Sequence, residues 1–120
     1  MTAPWIDREV AYAGNCLYDR ESSYTGLITL DPVDPRIAVI STDVDPQNGE
    51  LLGHHEIYRA TIERKDDVGQ VRWQAITQDS PVDNLRPVIL YHGDRRIILW
   101  NRGDLRTYTD YQLDTVGVIE

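Results

Sequence analysis

The chain has 120 residues, 20 acidic against 12 basic and a formal charge of −8. That length fits one domain with a small core, and that charge excludes a nucleic-acid backbone as the partner, since such binders carry a basic footprint. No run approaches the roughly 18 apolar residues of a membrane span, and Met1-Thr-Ala-Pro-Trp-Ile-Asp-Arg8 lacks the basic-then-apolar layout of a signal peptide. A soluble chain without membrane association is expected; its compartment is left open.

Helical periodicity is nowhere sustained. Short β-branched runs bounded by Pro, Gly, Asp and Asn recur instead, and predict an all-β chain with strands at 7–13, 26–30, 38–42, 56–63, 72–77, 87–91, 96–101 and 111–118. Asp31-Pro32 and Asp34-Pro35 restrict the residue before each proline, Gln47-Asn48-Gly49 tolerates positive φ, and Asp94 suits a tight turn. Eight strands are compatible with a sandwich, a barrel or two four-stranded propeller blades. A weak echo links 26–30 and 36–42 with 86–91 and 96–100: in each, one apolar strand leads by a short connection into a second.

Lone Cys16 admits no intrachain disulfide and reads as a small apolar filler. Seven Tyr, three Trp and no Phe give nearly every aromatic side chain a polar tip that needs a partner or a groove. The last third is dense in Arg, Tyr, Trp and Asp. Strand alternation there puts Trp100 and Arg102 on one face and Leu99 and Asn101 on the other, a surface suited to a hydroxylated, anionic ligand.

Several segments resemble the BNR-type, sialidase-like β-propellers of the BNR-4 repeat branch: Tyr24-Thr-Gly-Leu27, Ile40-Ser-Thr-Asp-Val-Asp-Pro46, His55-Glu-Ile-Tyr-Arg59, Asp83-Asn-Leu-Arg-Pro-Val88, Leu99-Trp-Asn-Arg-Gly103 and Arg106-Thr-Tyr-Thr-Asp-Tyr111. Asp67-Val-Gly-Gln-Val-Arg-Trp73 is similar to a degenerate Asp box of that family, a structural turn. The resemblance implies about two four-stranded antiparallel blades, at 14–80 and 81–120, with the strand at 5–13 closing the second. Such rings use more blades than two, so it further implies a homo-oligomer, with three copies making six blades, or a piece of a longer protein.

For function, the resemblance implies a carbohydrate-active segment acting on an acidic polysaccharide by hydrolysis or β-elimination. The alternative is a non-catalytic module that binds glycans or forms an oligomer. His55, Tyr108 and Asp110 are the candidate acid/base groups, histidine because it titrates near neutrality. Arg86, Trp100, Arg102, Arg106 and Tyr111 are the candidate ligand contacts, Arg86 because a guanidinium grips a carboxylate through two parallel hydrogen bonds. The competing expectation for Arg86 is an ion pair with Asp83. No cofactor is expected, and no metal: Asp43, Asp45 and Asn48 start like a calcium loop but lack its final ligand.

Overall fold

The computed structural model describes residues 7–12, 14, 28–63 and 70–120. It is all-β, with two antiparallel sheets. The first comprises β1 (Ile28–Leu30), β2 (Ile37–Val44), β3 (Leu51–Thr61) and β4 (Gln74–Ala75), side by side in that order. The second comprises β5 (Asp83–His92), β6 (Arg95–Thr107) and β7 (Asp110–Ile119), also in chain order.

The connections follow the local chemistry of the turns. Between β1 and β2, Asp31 Oδ1 accepts from the backbone N–H groups of Val33 (2.7 Å) and Asp34 (3.0 Å). Between β2 and β3, Asp45 Oδ1 takes the Gln47 N–H at 2.8 Å, and Gly49 adopts φ 80 as the Asn-Gly pair demands. The Asp43, Asp45 and Asn48 cluster thus serves largely as a turn: Asn48 Oδ1 caps the Glu50 N–H at 2.9 Å.

β2 lies between β1 and β3 and is covered on both faces, so alternation disappears from its burial. On one side Ala38 and Ile40 pack with Tyr58, Ala60, Val71 and Trp73. On the other, Val39 and Ile57 meet Ile89, Ile98 and Trp100 of the second sheet. Each fully buried Val or Ile contributes about 1.5–3 kcal/mol, which makes the second cluster the apolar bond between the sheets. β5 runs across β1, β2 and β3, whereas β7 lies farther out and reaches the inter-sheet cluster only through the Val116 and Val118 side chains at its edge.

Polar groups fix the same contact. The Asp31 carboxylate, fully enclosed, accepts from the Tyr91 hydroxyl at 2.7 Å and from Arg96 Nε at 2.6 Å. Arg96 also meets Glu120 at 2.9 Å, and Glu120 pairs with Arg59 of β3. At the other end of β5, the Asn84 carbonyl accepts from Ser41 Oγ at 2.6 Å.

Several strands differ from expectation. Residues 7–12 form no strand and do not complete the second sheet. They lie on the far side of the first, where Val10 and Ala11 pack against the Trp73 cluster and the Val10 carbonyl accepts from Trp73 Nε1 at 2.9 Å; Ala13 lies outside the described residues. The strand at 72–77 shrinks to Gln74–Ala75, because the Ile57 N–H is taken by Thr77 Oγ1 at 2.9 Å. β6 and β7, by contrast, form a longer hairpin than their apolar cores predict, since backbone pairing carries the polar stretch from Arg102 to Thr107. The Asp67–Gly69 part of the Asp-box resemblance lies outside the described residues.

Burial pushes the Asp31 carboxyl up, but the Asp34 N–H, the Tyr91 hydroxyl, the Val33 N–H and Arg96 outweigh it and bring the group from 3.8 down to about 2. A carboxyl whose folded value is depressed stabilises the fold above its ordinary value, and that contribution is lost as pH falls through the folded one. Acid unfolding should therefore sharpen between about pH 4 and pH 2, and Asp31→Asn should flatten that limb while costing on the order of 3 kcal/mol at neutral pH. Urea melts across pH, read by tryptophan fluorescence, check both.

Candidate functional site

Apart from His55, on β3 of the first sheet, the candidate residues lie on the second sheet and its β6–β7 hairpin. On β5, Leu85 pairs with Asn101 and Val88 with Leu99, so Arg86 and Pro87 together oppose the single residue Trp100. This is a two-for-one β-bulge. Proline suits it, because an extra residue in a ladder has no use for an N–H. Pro87 also disfavours the right-handed helical conformation at Arg86, which adopts φ 55 instead. A non-glycine residue at positive φ stores about 1 kcal/mol or more, here at a position that turns its side chain outward.

Arg86 opens onto a cavity of about 290 Å³ on the outer face, walled by Asn101, Leu105, Tyr108, Tyr111 and Leu113. Three expected residues, Arg86, Tyr108 and Tyr111, therefore come together. Arg86 has no hydrogen-bond or ion-pair partner among the described residues, and the expected pair with Asp83 does not form: Asp83 Oδ1 accepts the His55 N–H at 2.9 Å and lies 3.5 Å from His55 Nδ1. Tyr108 sits in the two-residue turn joining β6 to β7, 77% exposed, and Tyr111 opens β7 at 58%. A pair of phenol rings beside a guanidinium supplies stacking faces, hydroxyl donors and one fixed positive charge.

Arg106 and Asp110 stand at the rim and hold each other at 2.9 Å. That hydrogen bond holds the Asp110 carboxyl below its ordinary range, which makes it a poor proton acceptor near neutrality. It serves to brace the hairpin, with Thr107 Oγ1 taking the Thr109 N–H at 3.3 Å.

Trp100 and Arg102 face the other way, as alternation predicts for a shared face. Trp100 is only 6% exposed, packs among Ile57, Ile89 and Ile98, and donates Nε1 to Asn84 Oδ1 at 2.9 Å. It presents no stacking surface to a ligand. Arg102 sits across from Asn84 on one side and Asp114 on the other, half-buried and away from the cavity.

His55 is enclosed as well, at 5% exposure. Burial raises the Asp83 carboxyl, but hydrogen bonds from the His55 side chain and backbone outweigh it and leave Asp83 below its ordinary range. His55 Nε2 is buried with no hydrogen-bond partner among the described residues. Next to it lies a polar hub that the sequence did not signal: Asn84 Nδ2 donates to the His55 carbonyl (3.1 Å), Glu56 Oε1 (3.0 Å) and Ser80 Oγ (3.0 Å). Glu56 also accepts from Thr77 Oγ1 and from the Ser80 N–H, at 3.1 and 3.2 Å. The hub joins two segments far apart in the chain, 55–56 and 77–84, so no local pattern announces it.

His55 and Asn84 therefore belong to the architecture. Asn84→Ala orphans the buried Trp100 indole N–H and removes one of the two donors to Glu56 Oε1, which keeps Thr77, and should lower stability by roughly 2–4 kcal/mol; Tyr108→Ala, on the exposed turn, should change it by less than about 0.5 kcal/mol. Paired chemical melts separate the two. Comparison of the chain with family models, with curated proteins and with solved structures returns no match in any of the three, so this geometry carries the functional reading by itself.

Proposed function

We propose that the chain is a non-catalytic module that binds a carboxylated, hydroxylated ligand of the uronate-glycan kind in the Arg86, Tyr108 and Tyr111 cavity. The observation that carries this reading is the unpaired guanidinium of Arg86, held outward by a bulge beside two exposed tyrosines. In a chain of net charge −8, a cation left without a carboxylate partner among its described neighbours is set aside for an anion from outside. The cavity, at about 290 Å³, lies near the lower end of the range of roughly 300–1,000 Å³ for small-molecule sites, a size for one sugar ring.

Hydrolysis or β-elimination, the reading of the resemblance, calls on His55, Tyr108 and Asp110 as acid/base groups beside that ring. Tyr108 lines the cavity, but His55 is enclosed between the sheets and Asp110 is ion-paired with Arg106, so the tyrosine stands there without the proton-exchanging partners of the set, which favours binding over turnover. The meander order of both sheets and their face-to-face stacking are compatible with propeller blades, but the second sheet has three strands where the resemblance implied four, so the proposal rests on the cavity and not on a ring.

Calorimetry with a galacturonate oligosaccharide and with its neutral methyl ester tests the proposal. Binding is expected for the acid and not the ester. Arg86→Ala should weaken it by about 10- to 100-fold, the worth of a charge-assisted hydrogen-bond pair of roughly 1.5–3 kcal/mol, while Arg102→Ala, on the opposite face, should leave it unchanged. Equal binding of acid and ester, or the appearance of new chain ends in the sugar, would overturn the reading.

A further inference from the structure

β7 is the outermost strand of the second sheet, and its ten residues, Asp110–Ile119, expose one full row of backbone donors and acceptors. Edges of this kind are ordinarily blunted by Pro, Lys, a bulge or a covering element. Among the described residues β7 is little protected in this way: no proline, lysine or arginine lies in it, the one irregularity of its ladder with β6 is confined to its start opposite Leu105 and Thr107, and no strand of the first sheet pairs with it. We propose that β7 pairs antiparallel with β7 of a second copy, joining two three-stranded sheets into one of six strands.

The strand's own sequence selects the register. A two-fold axis between antiparallel neighbours stands perpendicular to the sheet, so it keeps both outer faces on one side and sets one residue opposite itself. Like charges directly opposite are unfavourable. Centring on Asp114 opposes Asp114 to its own copy, centring on Thr115 opposes Asp110 to Glu120, and centring on Gly117 opposes Asp114 to Glu120. Centring on Leu113 avoids those clashes but matches one apolar pair and sets Gly117 and Val118 against Thr109 and Tyr108 of the turn, and Ile119 against Thr107.

Centring on Val116 opposes no two carboxylates. It sets Val116 against itself, Leu113 against Ile119 twice over, Thr115 against Gly117, and the Gln112 amide against the Glu120 carboxylate. Leu113 and Ile119 stand on the outer face, where Ile119 is 63% exposed in the single chain and lies in one row with Ile97 and Leu90. The pairing carries that apolar row on to Leu113 of the second copy. The occupant is thus a copy of this chain, chosen by charge and apolar match along the strand; the inference does not rest on the ligand reading, although Leu113 belongs both to the pairing and to the cavity wall.

The test uses the full chain in a Cys16→Ala background. Light scattering should give twice 13.8 kDa. Opposed residues of an antiparallel pair lie within disulfide reach, so V116C should oxidise to a covalent dimer and Asp114→Cys should not. Because Val116 packs at the edge of the inter-sheet cluster, a second pair guards against misfolding: chains bearing L113C and I119C should cross-link when mixed and not singly. A monomer without cross-linking, a mass of three chains, or a dimer linked through Cys at 113 alone would each overturn the proposal.

Discussion

The stack of two sheets depends on one strand, β5, being pinned at both ends by polar groups that the apolar cluster alone would not orient. Hydrophobic burial among Val39, Ile57, Ile89, Ile98 and Trp100 is non-directional; it would tolerate a slide of one sheet over the other. The Asp31 carboxylate, buried with Tyr91 and Arg96 as partners, and the Asn84 amide, buried among Ser80, His55, Glu56 and Trp100, do not. A buried polar group left unpaired costs more than its satisfied contact returns, so a slide at either end carries a penalty. Orientation comes from these two hubs, cohesion from the apolar cluster between them.

This division explains the fate of the charged residues in the last third of the chain. Arg96 is spent on Asp31 and Glu120, and Arg106 on Asp110. Arg86, Arg95 and Arg102 pair with no carboxylate among the described residues, and of the three it is Arg86 that lines the outer cavity. The functional reading follows from what the fold leaves over after its own electrostatic needs are met.

Much of this was legible in the sequence where the cause is local. Asp31-Pro32, Asn48-Gly49 and Asp94 act in the turns that their chemistry predicts, and alternation correctly put Trp100 with Arg102 on one face and Asn101 on the other. What alternation does not carry is which face turns inward, since that depends on a second sheet whose approach is set by Asp31 and Asn84, dozens of residues from their partners. For the same reason His55 looked available and proved enclosed, and residues 7–12 looked like a closing strand and became a brace for Trp73. The triad of Arg86, Tyr108 and Tyr111 was named residue by residue, but its assembly rests on the pairing of β6 with β7, which brings a turn and a bulge to one end of the sheet.

The bulge at Arg86-Pro87 has a mechanical implication. Asn84, two residues before it, holds the inter-sheet lock, and Arg86 faces the outer cavity, so one short length of backbone serves both faces of the sheet. The positive φ at Arg86 and the hydrogen bond from Trp100 to Asn84 constrain the same stretch of chain, so a substitution that relaxes the bulge acts on the inner face as well as on the outer one.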